Sequence, residues 1–199
     1  MKRTAPSALR NREPIALALQ QLFSPQHTHG ALLEIASGTG QHAAHLAEHF
    51  GALSIQPTDA DPANVHDIDA WTEPHRSRVK PAVVLDVHSH PWPLAHADVV
   101  LCINMIHIAP WSACEALIKG SAHILAPGGL LALYGPFTRD GEHTAPSNVT
   151  FDQWLKDKDP AYGVRAIEAV TALASAQGLS RVEPIEMPAN NFVLGFYKR

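Results

Sequence analysis

The chain has 199 residues, of which 46% are hydrophobic and 17% charged, a composition typical of a folded protein with one sizeable core. Its formal net charge of −4 provides no general basic surface, so we expect no nucleic-acid partner. No apolar run has the length of a signal peptide or a membrane span, and the two cysteines form no C-x-x-C pair, so we expect a cytoplasmic protein without a membrane partner.

Apolar runs that look like buried strands alternate with helical patterns along the chain. Residues 1–25 contain a helical segment in which Ile15, Leu19 and Leu22 recur at helical spacing. The predicted strands that follow are 31–36, 52–58, 81–87, 97–106 and 130–136. The predicted helices between them are 41–50, 61–71 and 110–125. Asp61 as N-cap and Pro62 at the first position mark a helix start, and the segment APGG is expected to stop the third of these helices.

The C-terminal part of the chain departs from this alternation. A polar segment at 138–160 is predicted as an insertion on the substrate side, and helices are expected near 151–158 and 164–177, with Gly178 as C-cap. The segments RVEPIEMP and FVLGFYKR predict a closing hairpin. We therefore predict one α/β domain over residues 1–199. It is a three-layer, Rossmann-like sandwich with a mostly parallel seven-stranded sheet and a C-terminal antiparallel β-hairpin.

The stretch LLEIASGTGQH, from Leu32 to His42, is typical of a loop that holds a nucleotide-like ligand. Gly38 and Gly40 lack Cβ atoms, so the backbone there can turn sharply and approach a ligand closely. With Ala43 the pattern is G-x-G-x-x-A, which both dinucleotide-binding and S-adenosylmethionine (SAM)-binding proteins use. The loop alone does not separate these two ligands.

Acidic residues near the loop favour SAM. Glu34 lies within the first strand. A carboxylate at this position can lie near the cationic amino-acid part of SAM, whereas it has no role in binding a dinucleotide. Asp59 ends the second strand and can accept hydrogen bonds from ribose hydroxyls, although it could instead cap a helix, and Asp61 competes for the ribose role. Asp86, after the third strand, can meet an adenine amino group or be a surface acid.

Further residues complete the expected cofactor site. Arg12 could pair with the SAM carboxylate or with Glu34, or it could with Asn11 merely begin a helix that packs over the cofactor cleft. Asn104 follows the fourth strand. The predicted cofactor-binding residues are Asn11, Arg12, Glu34, Ala36, Ser37, Gly38, Gly40, Asp59, Asp86, Val87 and Asn104.

The motif E-x-A-x-G-x-G, from Glu34 to Gly40, resembles that of the class I SAM-dependent methyltransferases, with Ala36 in place of the usual first glycine. The chain also resembles, over nearly its full length, a narrower family, the methyltransferase-like 26 proteins (domain of unknown function 938). The blocks that carry this resemblance are RNREPI, LLEIASGTGQHA, QPTDAD, CINMIHIAPW, APGGLLALYGPF, DGEHTAPSN, DPAYGVR and MPANN. The resemblance implies SAM as methyl donor and S-adenosylhomocysteine (SAH) as product, and it leaves the methyl acceptor undefined.

Methyl transfer from SAM is an in-line displacement that depends mainly on alignment of the acceptor, the methyl group and sulfur. A general base is needed only when the acceptor loses a proton. His107 is the first candidate and His143 the second, because histidine titrates near neutral pH. A packing role for His107 is an equal alternative. The acidic balance and the absence of an appended recognition segment favour a small-molecule acceptor.

Two other functions fit the same glycine loop. A nicotinamide-dependent oxidoreductase would need a catalytic pair such as Y-x-x-x-K, which the sequence lacks. A non-catalytic protein that binds SAM or a partner would need no acceptor pocket, and the polar segment at 138–148 argues against it.

The 13 histidines raise the question of a metal site. Those in HTHG and DVHSHPW lie in proline-rich, loop-like sequence without a carboxylate or cysteine cluster beside them. We therefore predict no metal ligands.

Overall fold

The computed structural model describes residues 2–199, which form a mostly parallel sheet with helices on both faces. The helices are α1 (Pro6–Leu22), α2 (Gln41–His49), α3 (Pro62–Thr72), α4 (Trp111–Ile124), α5 (Pro146–Lys158) and α6 (Ile167–Ala176). The strands are β1 (Ala31–Ile35), β2 (Ser54–Asp59), β3 (Val83–Val84), β4 (Ala97–Ile103), β5 (Leu125–Gly135), β6 (Phe137–Arg139), β7 (Glu142–His143), β8 (Arg165–Ala166), β9 (Leu179–Arg181), β10 (Ile185–Met187) and β11 (Asn191–Lys198). No helix within this part of the chain is long and apolar enough to cross a bilayer.

The main sheet has the strand order β10-β11-β5-β4-β1-β2-β3. Neighbours from β5 to β3 run parallel, and β11 runs antiparallel to β5. Both β9 and β10 pair antiparallel with β11, at its opposite ends, so together they occupy one outer position. The sheet thus has seven positions with an antiparallel C-terminal end, and the predicted fold class is confirmed.

The order in which strands are added to the sheet reverses between β1 and β4: β2 and β3 lie on one side of β1, and β4 and β5 lie on the other. In doubly wound sheets, ligands bind beyond the carboxyl ends of the strands at this switch point. In this protein the loops after β1 and β4 lie at the switch point, so a ligand is expected at these two loops.

The core lies on both faces of the sheet because side chains alternate along each strand. Leu32 packs with α1 and α2 on one face, whereas Leu33 packs with α4 and α6 on the other. Burial on both sides explains why β1 and β4 read as continuous apolar runs rather than as alternating ones.

The segment predicted as an insertion at 138–160 contains its own small elements. Strand β6 pairs antiparallel with β7 and parallel with β8, and α5 follows β7 directly. This arrangement places α5 beyond the carboxyl end of β5.

Several predicted boundaries are wrong: β4 ends at Ile103 rather than at 106, and β5 begins at Leu125 rather than at 130. Helix α1 begins at Pro6, so Asn11 and Arg12 lie inside the helix that they were expected to begin; Pro14, also inside it, lacks an N–H and only leaves the Arg10 carbonyl without its helical partner. Strand β3 has two residues because it pairs only with the end of β2. The APGG segment does not stop α4: β5 starts at once, and Gly128, with φ +78°, lies where the register with β4 shifts.

Candidate functional site

The loop of residues 36–40, between β1 and α2, has three residues with left-handed backbone. Ala36, Gly38 and Gly40 have φ of +57°, +60° and +82°. A Cβ on Gly40 would lie 2.6 Å from Ile68 Cα in α3, whereas a Cβ on Gly38 would meet nothing within 4 Å. Open space therefore lies over Gly38. Ala36 adopts the conformation that a glycine would adopt without strain, which fits its place in the motif.

Asp59 ties this loop to the neighbouring strand end. It is buried at the carboxyl end of β2, and its Oδ2 accepts from Gly38 N at 2.8 Å. Its Oδ1 accepts from Asp61 N at 3.0 Å and from Asn64 Nδ2 at 2.9 Å. Asp61 is the N-cap of α3, with its Oδ1 accepting from Ala63 N at 2.9 Å. Asp61 is thus engaged as the cap, and Asp59 as the residue that holds the glycine loop.

Two buried polar side chains that flank the loop have polar atoms without a hydrogen-bond partner in residues 2–199. Glu34 is 1% exposed and neither carboxylate oxygen has a hydrogen bond. Burial, opposed by the nearby Ser37 side chain and with a smaller contribution from the charge of Asp59, raises the pKa of Glu34 to about 7. Gln41, also 1% exposed, accepts through its Oε1 from Thr39 Oγ1 at 2.9 Å, but its Nε2 has no acceptor. Buried polar groups are nearly always bonded, so this pair has capacity for a polar ligand or water.

Asp86 and Val87 follow β3. Leu85 N donates to Asp59 O at 2.9 Å, which brings Asp86 next to the end of β2. The Asp86 carboxylate is exposed and accepts from His88 N and Nδ1, at 2.9 and 2.8 Å, which lowers its pKa. Val87 is buried in the core. Arg12, the other predicted partner of an acid, forms no ion pair with any described residue and lies near His42, whose pKa it helps to lower.

A cavity of about 650 Å³ opens at the carboxyl ends of β4 and β5, between α1, α5 and the turn before β11. Its lining is rich in asparagine, and we call it the asparagine pocket. The five asparagines are Asn11, Asn104, Asn148, Asn190 and Asn191. Three aromatic residues, Tyr134, Phe151 and Trp154, also line it. Arg10 is the one charged residue in the lining.

The asparagine pocket is built from segments that lie far apart in the sequence. Asn148 Nδ2 donates to Asn190 O at 3.0 Å and so joins α5 to the turn before β11. Ala189 and Asn190 in that turn both have φ of +58°. The blocks RNREPI, CINMIHIAPW, APGGLLALYGPF, DGEHTAPSN and MPANN each contribute to the lining. Sequence reasoning used Asn11 and Asn104 but missed Arg10, Asn148 and Asn190, although their blocks were the available signal.

The structure places His107 in the core. The ring is fully buried, packs edge-on against Phe137, and accepts at Nδ1 from Arg165 N at 3.4 Å. Burial, and secondarily the charge of Arg165, lowers its pKa to about 3. Its Nε2 has no partner in the described chain. This geometry favours the packing alternative for His107, and a role as general base stays a prediction.

The second candidate base, His143, lies on β7 with its Nε2 3.6 Å from Asp152 Oδ2. Asp152 is also bonded to Lys156 Nζ at 2.6 Å and to Val164 N at 2.7 Å. His143 is not part of the asparagine pocket lining. Its predicted role as a base is therefore without a structural argument.

The packing of His107 can be tested at Gly135, the last residue of β5. A Cβ there would collide with His107 Nε2 and lie 3.3 Å from Asn104 Oδ1. We expect Gly135→Ala to lower the free energy of unfolding by about 2 kcal/mol through overpacking. Urea denaturation of Gly135→Ala, His107→Ala and the double variant would measure this. The double variant should be more stable than the sum of the single effects, and strict additivity would contradict the contact.

Histidines also meet acids on the outer surface of α1 and α2. Among residues 2–199, Glu13, His45 and His49 place one ligand atom each within 4.8 Å of one another. Glu13 Oε2 already accepts from His45 Nε2 at 2.9 Å, which ties α1 to α2. The predicted loop histidines, such as His29 and His88, belong to no such group in the described chain.

Among doubly wound sheets, an antiparallel β11 inserted beside β5 is the arrangement of the class I SAM-dependent methyltransferases, and this chain has that fold. The chain belongs to the family described as "Protein of unknown function (DUF938)", whose model matches residues 2–198.

Solved structures share this fold at low sequence identity. An O-methyltransferase family protein from Burkholderia thailandensis is 15% identical, with a TM-score of 0.81, over 96% of this chain and 57% of that one. An O-methyltransferase family 2 protein from Planctomyces limnophilus DSM 3776, in complex with apigenin, is 17% identical, with a TM-score of 0.77, over 96% and 65%. SAH-bound CalO1, a methyltransferase in calicheamicin biosynthesis, is 15% identical, with a TM-score of 0.77, over 97% and 54%. This chain thus spans 54 to 65% of the length of these proteins.

Proposed function

We propose that this protein is a SAM-dependent methyltransferase that acts on a small-molecule acceptor. The observation that carries the proposal is the buried Glu34 carboxylate without a partner behind the glycine loop. A carboxylate in that position is costly unless a ligand or another group compensates it. The narrower likeness to the methyltransferase-like 26 proteins stays a prediction from the sequence blocks.

The groups flanking the loop suit the amino-acid end of SAM better than a dinucleotide. That end carries an ammonium, which can donate to Glu34, and a carboxylate, which can accept from the unused Nε2 of Gln41. A pyrophosphate would instead be repelled by Glu34. The open space over Gly38 lets a ligand approach the loop backbone closely. Asp59 holds the loop, and its carboxylate is our candidate to accept hydrogen bonds from the ribose hydroxyls.

SAM supplies a methyl group on a cationic sulfur. The chain's own contribution is to orient that group towards the asparagine pocket and to exclude water from the path between them. Asn104 lines the pocket: it follows β4, has φ of +63°, and its N–H donates to Tyr134 O at 2.8 Å. The bond fixes the turn after β4, which lines the asparagine pocket, against β5.

The comparison proteins support a small acceptor. The one from Planctomyces limnophilus is solved with apigenin, and CalO1 with SAH. The cavity of about 650 Å³ has the size of a pocket for one small molecule. A protein that only bound SAM would have no use for it, which makes the non-catalytic alternative less favoured.

Calorimetric titration of the purified protein with SAM, SAH and NADH tests the cofactor. We expect SAM and SAH to bind and NADH not to bind. Asp59→Asn should weaken SAM binding by at least about tenfold, because a charge-assisted bond contributes roughly 1.5 kcal/mol or more. Binding of NADH in place of SAM would overturn the proposal.

Asp61→Asn is the matched control, because asparagine caps helices as well as aspartate does. It should leave both thermal stability and SAM affinity unchanged. If Asp61→Asn lost SAM binding while Asp59→Asn kept it, Asp61 would be the ribose ligand instead.

A further inference from the structure

The asparagine pocket carries one uncompensated positive charge. Arg10 is exposed, lines the cavity, and forms no hydrogen bond or ion pair through its guanidinium with any residue in 2–199. The lining contains no carboxylate, lysine, histidine or cysteine. A site with this charge favours an anion over a cation.

The pocket also lacks a group that could take a proton near neutral pH. Asparagine amides do not titrate there, and neither His107 nor His143 belongs to the lining. Tyr134 is the other ionisable residue in the lining; burial raises its pKa, against smaller opposing effects of Asn11 and Arg10. Its hydroxyl therefore stays protonated and acts as a hydrogen-bond donor. An acceptor that needed to lose a proton during transfer would find no base.

We propose that the asparagine pocket binds its methyl acceptor as an oxygen anion on a planar ring, already deprotonated, with Arg10 beside the anionic group. This inference rests on the proposed methyltransferase function and specifies the substrate class for the same site. The chemistry includes aromatic carboxylates and acidic phenols, which share a negative oxygen on a flat ring.

The transfer step balances without a base. The anionic oxygen forms a bond to the methyl carbon while the bond from that carbon to sulfur breaks, and its electron pair stays on sulfur. The products are the neutral methyl ester or ether and neutral SAH, and no proton is released. Arg10 and the amide N–H groups orient the oxygen before transfer, and the loss of its charge weakens their hold on the product.

The planar part of the acceptor has a matching surface on α5. Phe151 and Trp154 stack with ring centroids 5.7 Å apart and planes at 19°, and Trp154 is 51% exposed at the pocket. A flat ring can extend this stack, because offset stacking is favourable between aromatic faces. Trp154 also provides a fluorescent reporter for binding.

Three probes of similar size but different charge test the inference: benzoate, benzamide and benzylammonium. Binding is measured in the presence of SAH by tryptophan fluorescence and by saturation-transfer NMR. We expect benzoate to bind at least about tenfold more tightly than benzamide, since a charge-assisted bond contributes roughly 1.5 kcal/mol or more. Benzylammonium should not bind. Equal or tighter binding of benzamide or benzylammonium, or no binding of benzoate, would overturn the proposal.

Arg10→Met should abolish the preference for benzoate over benzamide, with retained SAH binding as proof of folding. Arg181→Met is the matched control, because Arg181 is exposed on β9 and does not line the pocket. Trp154→Leu should weaken benzoate and benzamide alike. If Arg10→Met kept the preference, Arg10 would not hold the anion.

Turnover provides a second readout. In a series of phenols whose pKa values run from about 4 to about 10, methylation at a fixed neutral pH should fall steeply once the pKa of the phenol exceeds the pH, because only the ionised fraction can react. Equal rates for weakly and strongly acidic phenols would show that the enzyme supplies a base. Failure of SAM and SAH to bind would instead contradict the proposed function itself.

Discussion

Replacement of Gly40 by alanine is expected to lower the free energy of unfolding by about 3 kcal/mol and to abolish SAM binding. The new Cβ would lie 2.6 Å from Ile68 Cα and 3.0 Å from Ile68 O, both backbone atoms of α3. Backbone atoms cannot rotate away as a side chain can, so either the loop or α3 must move. The φ of +82° adds strain, since non-glycine residues rarely adopt it. Urea denaturation and SAM calorimetry would measure the two effects.

Gly38→Ala separates loss of the fold from loss of the ligand site. Its φ of +60° costs an alanine about 1 kcal/mol, but its Cβ meets nothing within 4 Å. The variant should fold with a small loss of stability and still bind SAM more weakly, because its Cβ enters the space the ligand needs. Unchanged SAM affinity in Gly38→Ala would mean that no ligand lies over Gly38.

The order of strands and helices could be predicted because its signals are local. Apolar runs marked β1 and β4, and Asp61 with Pro62 marked the start of α3, where the structure has the same cap. The glycine loop was recognisable for the same reason, since its residues are consecutive. Boundaries failed where tertiary context decided them, as at Pro14 inside α1 and at the two-residue β3.

The asparagine pocket could not be predicted in the same way. Arg10, Asn148 and Asn190 are separated by more than a hundred residues of chain or by a whole helix, and only the packing of α1, α5 and the turn before β11 brings them together. His107 shows the same dependence on tertiary packing. A histidine after β4 looked available for catalysis, but burial against Phe137 is a property of the folded state alone.

Several features of the glycine loop and its flanks lower the stability of the protein when no ligand is bound. Ala36 has left-handed backbone, and Glu34 and Gln41 are buried with unused hydrogen-bonding capacity. Each feature destabilises the protein without its ligand. Features of this kind gather at sites whose geometry is set by a ligand rather than by the fold, and here all three lie within eight residues, 34–41.

Glu34→Gln should therefore stabilise the protein and weaken SAM binding. The pKa of Glu34 is raised from its model-compound value of 4.5 to about 7, so between these values the folded state holds a proton that the unfolded state has lost. Stability consequently falls as pH rises through this window, by about 3 kcal/mol in all. Glutamine does not titrate and should remove that fall, so the variant should exceed the wild type above pH about 7 and match it below about 4.5.

The same substitution removes the charge that the SAM ammonium would meet, and SAM affinity at pH 8 should drop by about ten- to a hundredfold. Urea denaturation across pH and calorimetry on the same samples measure both effects, with the exposed Glu183→Gln as a control that should change neither. The test depends on Glu34→Gln changing stability and SAM affinity in opposite directions. If Glu34 were purely structural, Glu34→Gln would increase stability and leave SAM affinity unchanged. If Glu34 binds SAM, the same substitution increases stability and weakens binding, because the buried carboxylate destabilises the free protein and is compensated only by its ligand.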